Sequence, residues 1–327
     1  MKALVTGATG FIGGHVARAL IAKGFQVRGL ARLGSPTHHL KSLDIEWMHG
    51  DLRDVDSLKR AMSGCHILFH IAAAYAFWVP DPTVIYDTNV QGTKTLLEVA
   101  RDAGVEKIVY TSTESTIGIH GRTLGNETAT SSLDDVAGHY KKSKLLAEHV
   151  VLQFCEEGVP ITIVNPTMPL GPHDVKPTPS GQVILDFLTG RMPAYVNTGL
   201  NVVDVNDVAI GHILALEKGR IGERYILGNV NLTLRDLLIL LESITGIKAS
   251  KVRIPLGLAL GAGYVDEFVR GRLLKRPPRI PLAAVRTARK FRHFDCSKAI
   301  AELGLPQTPI DIPIRQAVDW FTEQEYV

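Results

Sequence analysis

The sequence predicts an α/β fold: a doubly wound parallel sheet, followed toward the C-terminal side by a smaller mixed region of helices and short strands. Three observations carry that expectation. Short, continuously apolar runs alternate with longer amphipathic ones through the first half of the chain; a glycine-rich turn joins the first apolar run to the first amphipathic run; and the texture changes after Pro166, where prolines and glycines crowd together. The 327 residues are 45% hydrophobic and 21% charged, which excludes a disordered chain, and no collagen-like or coiled-coil repeat is present. Lys+Arg of 36 against Asp+Glu of 33 leaves +3, too balanced to argue a nucleic-acid-binding surface from overall charge.

Lys2–Val5, Val27–Leu30, Ile45–Met48, Ile67–Ile71, Ile108–Thr111 and Ile161–Val164 read as strands, being short and rich in Val, Ile and Leu. They are apolar throughout rather than alternating, so both of their faces need cover, and the intervening helices supply it. Those helices are expected at Gly13–Lys23, Val55–Met62, Val84–Ala103 and Tyr140–Glu157, where apolar residues recur at helical spacing. Asp54 is suited to cap the second, and Gly24 and Gly104 to end the first and third. Right-handed crossovers then wind the sheet in both directions from its start.

Pro169, Gly171, Pro172, Pro177, Pro179 and Gly181 mark a passage between two regions, residues 1–166 and residues 167–327, with some later segments free to return to the first sheet. The second region should contain helices Val183–Thr189, Val208–Lys218, Leu234–Ile244, Leu282–Lys290 and Ile314–Thr322, with Thr233 and Asp311 as caps. Its longest weakly polar stretch, Ile254–Val265, is too short to span a bilayer and is interrupted by Pro255, Gly257, Gly261 and Gly263. The N-terminus enters a strand at once, without a basic leader ahead of a long apolar segment, so a cytoplasmic protein is expected. Cys65, Cys155 and Cys296 lie too far apart in sequence for a disulfide framework or a zinc spacing, and no metal is expected.

The turn Thr6-Gly7-Ala8-Thr9-Gly10-Phe11-Ile12-Gly13 sits at the first strand–helix junction, where a phosphate meets free helix amides and the positive end of the helix dipole. Gly7 allows the sharp turn, Gly10 lets the backbone approach a pyrophosphate, and Gly13 lets the helix pack close to the sheet. This is the dinucleotide-binding arrangement of a Rossmann sheet. The end of the second strand selects the dinucleotide. An acid there would bond the ribose 2′-hydroxyl of NAD and repel a 2′-phosphate, but the sequence is Val27-Arg28-Gly29-Leu30-Ala31-Arg32. Arg32 can stack on adenine and pair with a phosphate, with Arg28 and Ser35 as helpers, so NADP(H) is expected in preference to NAD(H).

Tyr140-Lys141-Lys142-Ser143-Lys144 places a phenol and an ammonium one helical turn apart. A free phenol, with a pKa of about 10, is a poor acid or base at neutral pH. A neighbouring ammonium, together with the positive nicotinamide ring when oxidised, is expected to pull that value down, and Lys144 is long enough to hold the nicotinamide ribose as well. The hydroxyl-rich segment Tyr110-Thr111-Ser112-Thr113-Glu114-Ser115 ends a strand at the carboxyl edge, where open α/β sheets bind ligands.

Together, Thr6-Gly7-x-x-Gly10-x-x-Gly13 and Tyr140-x-x-x-Lys144 resemble the extended short-chain dehydrogenase/reductase superfamily over nearly the whole chain. Val27–Arg32 and Tyr110–Thr113 resemble its dihydroflavonol 4-reductase-like branch. Trp78–Pro82, Gly138–Lys144 and Gly190–Tyr195 are similar to the bacterial proteins called hopanoid-associated sugar epimerases. The resemblance implies Tyr140 as acid/base, Lys144 as ribose-binding lysine and Thr113 as the hydroxyl orienting the substrate oxygen. It also implies Thr9, Phe11 and Ile12 in the phosphate turn, and Asp51 and Leu52 at the adenine. Ala72 and Ala73 would line the cofactor channel, Asn89 would support the site, and Pro166 and Thr167 would flank the nicotinamide. A homodimer through two helices is implied too. Departures bear on the substrate: Glu114 brings a carboxylate beside Thr113, Gly118 replaces the asparagine that reads flavonoids in plant relatives, and Asn165–Pro172 lacks the Arg and Tyr usual in nucleotide-sugar epimerases.

The aromatic loop Tyr75-Ala76-Phe77-Trp78-Val79-Pro80 follows the fourth strand at the same edge and can wall an apolar pocket, with Trp78 as a substrate residue. His173 in the proline-rich loop is a further substrate candidate. His66 and His70 are too far apart along a strand to share a metal, His139 is expected off the catalytic face, and Lys141 and Lys142 are expected to form a solvated face. The resulting expectation is an NADP(H)-dependent oxidoreductase interconverting a carbonyl and a secondary alcohol in a partly apolar small molecule. The alternatives are a dinucleotide-retaining sugar epimerase and a non-catalytic dinucleotide-sensing module.

Overall fold

The computed structural model describes every residue except His120 and Arg122. Its strands are β1 (Lys2–Thr6), β2 (Gln26–Ala31), β3 (Ile45–His49), β4 (Ile67–His70), β5 (Lys107–Thr111), β6 (Ile161–Pro166), β7 (Met168–Leu170), β8 (Gly199–Asp204), β9 (Arg224–Leu227) and β10 (Val230–Thr233). One parallel sheet runs β3-β2-β1-β4-β5-β6-β9, and a small mixed sheet runs β10-β8-β7. The order reverses between β1 and β4, which opens a crevice at their carboxyl ends. β9 lies far along the chain yet pairs with β6, Pro166 opposite Leu227, so the later half of the sequence completes the main sheet.

The helices are α1 (Phe11–Ala22), α2 (Val55–Met62), α3 (Thr83–Tyr86), α4 (Gly92–Asp102), α5 (His139–Glu156), α6 (Pro179–Leu188), α7 (Val205–Lys218), α8 (Leu234–Thr245), α9 (Leu256–Asp266), α10 (Leu282–Thr287) and α11 (Asp311–Glu323). α1 and α7 cover one face of the sheet, where Val16, Ala17, Leu20, Val208 and Ile213 pack on Ala3, Val5 and Val109. α2, α4 and α5 cover the other, with Leu58, Leu96, Leu97, Ala147 and Val151 against Leu4, Leu68 and Ile108. A third core joins α6, α8 and α11 to the small sheet.

Two expectations about helices are corrected by the structure. Val84–Ala103 is not one regular helix: a π-helical turn at Asp87–Gln91 separates α3 from α4 and turns Asn89 inward. Asp311 does not cap α11; it is the first helical residue, and Ile310 before it is already in the helical region, so no extended residue is available to cap. The weakly polar stretch Ile254–Val265, expected to be too short to span a bilayer, forms α9, and no helix among the described residues is long and apolar enough to cross a membrane. Pro255 occupies the position just before α9, where its missing N–H costs nothing, and the glycines lower helix propensity without breaking the turn.

α5 is fixed to the sheet by a buried carboxylate. Glu148 Oε2 accepts hydrogen bonds from Thr116 Oγ1 at 2.8 Å and Asn165 Nδ2 at 3.0 Å, while Oε1 pairs with Arg224 at 3.3 Å. The Glu148 side chain is 1% exposed and that of Arg224 11%, so truncating one partner leaves a charge without compensation. Glu148→Ala is expected to lower stability by about 3–5 kcal/mol, read as a reduced urea midpoint at unchanged slope.

Candidate active site

The glycine turn has little room for side chains. Gly7 has φ +73, and a Cβ on it would lie 2.8 Å from the Ala72 nitrogen; a Cβ on Gly13 would lie 2.1 Å from the Gly7 carbonyl oxygen. Gly10 is exposed, donates its N–H to Gly7 O at 2.9 Å and precedes α1, which has no capping side chain and no acid in its first turn. Thr9, Phe11 and Ile12 are half-buried around it. Thr6 Oγ1 accepts from the N–H groups of Ile71 and Ala72 at 3.1 and 3.2 Å, tying the turn to the loop after β4. His70, in contact with Thr6 and Thr93, is driven by burial to a pKa of about 3 and is a neutral structural residue.

At the end of β2, Arg32 is exposed, and its charge helps lower the Asp51 carboxylate, whose main partner is Arg53. Leu52 is buried under Gly92. Arg28, expected to assist at a phosphate, cannot. It is buried and bonds Ala61 O, Ser63 O and Glu46. Arg28 lies four residues before Arg32, toward the amino end of β2, and its guanidinium is engaged at the end of α2, away from the carboxyl edge.

On α5, Tyr140 is half-buried with its ring centroid 4.2 Å from that of Tyr75. Lys144 is buried and donates to Tyr110 Oη at 2.9 Å and Thr111 O at 2.8 Å. Burial lowers its pKa from 10.5 to about 7, against a raising influence from Glu148. Among the protein's own groups, Lys144 does not lower the Tyr140 phenol. Burial, followed by the Glu114 carboxylate, raises it instead. The reason is that the Lys144 ammonium is engaged with Tyr110 and Thr111, and its own burial disfavours its charged form. Thr113, extended at φ −158, is half-buried at the head of a short turn, Glu114–Thr116, and its carbonyl accepts from Asn165 Nδ2 at 3.2 Å.

The loop after β4 is braced by Asn89, which accepts from Ala74 N at 2.7 Å and donates to Ala74 O and to Ser143 Oγ. Asn89 therefore links the loop to α5, while Ala72 and Ala73 lead into that loop. Thr167 bonds Leu227 through its N–H, holding the step after Pro166. Trp78 lies against Gly271 and lines a cavity of about 600 Å³ with Val79, Pro80, Phe268 and Leu282.

Glu114 forms an ion pair with Arg292, which also donates to the Glu114 carbonyl at 2.8 Å. Lys141 does not belong to a solvated face: it is buried, lowered to about 8 by desolvation, and feels both Glu114 and Arg292. Lys142 is half-buried. His139 is exposed, with its ring near Tyr86. His173 sits with φ +68 beside His15 and Trp320 and is lowered to about 4, chiefly by burial. Sequence reasoning missed Glu148 and Arg292. Glu148 carried a signal, since Tyr140, Lys144 and Glu148 stand at successive four-residue steps; Arg292, distant in sequence, carried none.

These residues suit a dinucleotide: an open glycine cradle, an uncapped helix start above it, and a buried lysine one turn from a phenol at the same sheet edge. Such a constellation defines an oxidoreductase of the extended short-chain dehydrogenase/reductase type, which binds a nicotinamide dinucleotide. The chain belongs to the NAD dependent epimerase/dehydratase family, which it matches over residues 3–228. It is 45% identical over 328 residues to a Synechocystis sp. protein with the provisional name dihydroflavonol 4-reductase, covering 99% of this chain and 95% of that one. It is 36% identical over 325 residues to sterol demethylase protein B of Methylococcus capsulatus, covering 99% of both. A Stigmatella aurantiaca 4-hydroxy-2-methyl-3-oxo-4-farnesyl-3,4-dihydroquinoline-1-oxide ketoreductase is 32% identical, with 93% and 91% covered. A nucleoside-diphosphate-sugar epimerase structure from Pseudomonas aeruginosa superposes with TM-score 0.83 at 28% identity, covering 100% of this chain and 99% of that one.

The electrostatic link between Glu148 and Lys144 can be read directly. Removing the carboxylate charge in Glu148→Gln should move the Lys144 titration below its value of about 7, so that the ammonium is lost at lower pH. ¹⁵N-lysine NMR across the neutral range checks the direction.

Proposed function

We propose that the protein is an NADP(H)-dependent reductase interconverting a ketone and a secondary alcohol on a bulky, largely apolar molecule. The observation that carries this reading is the arrangement on α5, with Tyr140 half-buried under Tyr75 and Lys144 locked behind it by Tyr110 and Thr111. The bound dinucleotide supplies the hydride. Gly7, Gly10 and Gly13 with the α1 amides hold its pyrophosphate, Asp51, Leu52 and Arg32 its adenosine end, and Lys144, Pro166 and Thr167 its nicotinamide end. Asn89 is a positioning residue, joining the Ala72–Ala74 segment to α5.

Tyr140 is protonated at neutral pH but burial makes it a weaker acid than a free phenol, so transfer of its proton is driven by the stronger basicity of the alkoxide that develops on the substrate oxygen. Tyr140 gives its proton to the developing alkoxide in reduction and takes it back in oxidation. The Thr113 hydroxyl donates to the same oxygen and fixes its orientation. Tyr140→Phe is expected to keep the dinucleotide Kd within about twofold while turnover falls about 10²–10⁴-fold; undiminished turnover in a ketone panel would remove Tyr140 from this role.

The absence of an acid at the end of β2, together with the exposed Arg32, supports the 2′-phosphate form of the cofactor. Arg32→Ala should weaken NADPH about tenfold and leave NADH within about twofold, by fluorescence titration. The apolar substrate class is supported by the Trp78 cavity and by relatives named for a sterol and a farnesyl-bearing ketone. Epimerisation is the second reading, favoured by the sugar-epimerase structural relative. Its mark is protein that arrives with stoichiometric oxidised dinucleotide and turns over without added cofactor.

A further inference from the structure

Residues 251–292 are unlike the rest of the chain. They hold eleven lysines and arginines against Asp266 and Glu267, a net +9, whereas the whole protein carries +3 and the other 285 residues therefore −6. Arg272, Lys275, Arg276, Arg279, Arg286 and Arg289 are all exposed and make no ion pair among the described residues. A balanced overall charge thus conceals a strongly basic segment with six exposed, unpaired cations.

The same segment is apolar where water meets it. α9 carries one charged residue, Asp266, and buries only Ala259 and Gly263. Leu258 is 68% exposed, Val265 65% and Leu273 62%, with Leu274 and Phe268 more than half exposed. Leu258 and Val265 are seven apart and share one side of the helix. The π-helical turn Glu267–Leu273 continues the stripe into the basic residues. A helix this apolar needs something to bury against. A second copy meeting it face to face would set the six unpaired cations against their like, which like-charge repulsion opposes. An anionic lipid surface supplies the opposite charge beside an apolar interior.

We propose that α9, the turn after it and the exposed basic residues from Arg272 to Arg289 form a docking surface for an anionic lipid bilayer, with Leu258 and Val265 entering the headgroup boundary and the arginines meeting lipid phosphates. The attachment is peripheral, since no helix among the described residues is long and apolar enough to cross a membrane. The docking face backs the cavity walled by Trp78, Phe268 and Leu282. Ala283, next to Leu282, lies against Gly138 at the start of α5, where an added Cβ would come within 2.9 Å of its own. An apolar substrate entering from the bilayer would meet this cavity first, a role that rests on the proposed function, whereas the docking itself does not.

The test is flotation of the full chain with vesicles of phosphatidylcholine alone or with about 30% phosphatidylglycerol, without cofactor or substrate. The expected result is about tenfold more binding to the anionic vesicles at about 0.1 M salt, largely lost at about 0.5 M. Leu258→Ser/Val265→Ser and Arg276→Glu/Arg279→Glu should each lose about tenfold in binding while keeping the far-UV circular dichroism and Tm of the parent, because all four side chains are exposed. Tyr140→Phe should bind like the parent, which separates docking from catalysis. Equal recovery on both vesicle types, no recovery, or full binding by either double variant overturns the proposal. A salt-sensitive dimer or a nucleic-acid complex lost in these variants, without vesicle binding, also overturns it.

Discussion

Lys144 can stand behind Tyr140 only because Glu148, one turn farther along α5, is anchored in the interior. Its two oxygens reach the turn after β5, the end of β6 and the start of β9, so a single carboxylate sets the helix, the Thr113 turn and two strands in register. The same charge raises Lys144 toward its protonated form while burial pulls it the other way. Structural anchoring and electrostatic tuning of the site are therefore one interaction, and a neutral replacement of similar shape separates the two roles.

Much of the fold was legible because the main sheet is built from continuously apolar runs, such as Ile67–His70 and Ile161–Val164, that need cover on both faces. The glycine turn was legible for a steric reason: Gly13 sits where any side chain would strike the Gly7 carbonyl. The short strands β7 and β10 left no period long enough to read, β8 opens on Gly-Leu-Asn rather than a continuously apolar run, and α9 was hidden by its glycines. Lys141 was misread because helical position alone does not reveal that Glu114 and Arg292 fold over that face. The influence of Lys144 on Tyr140 was misread for a related reason: spacing gives the neighbour, and only burial and partners give its effect.

The pocket region is assembled from parts with different restraints. Its floor, α5 with the Thr113 turn, is held by buried polar bonds. The Ala74 end of the aromatic loop is held by Asn89, but Tyr75 is 48% exposed and Trp78 rests against a glycine of the Glu267–Leu273 turn. Rigid chemistry on the floor and changeable walls above it are the arrangement by which one sheet serves many substrates.

The pairing of Glu114 with Arg292 joins residues 178 positions apart. During synthesis the glycine turn, the first six strands and α5 are all available long before Arg292 leaves the ribosome. Until then Glu114 and Lys141 lack the guanidinium that completes their surroundings. The order of synthesis therefore puts the glycine turn, α5 and Glu114 in the chain well before the guanidinium that pairs with Glu114.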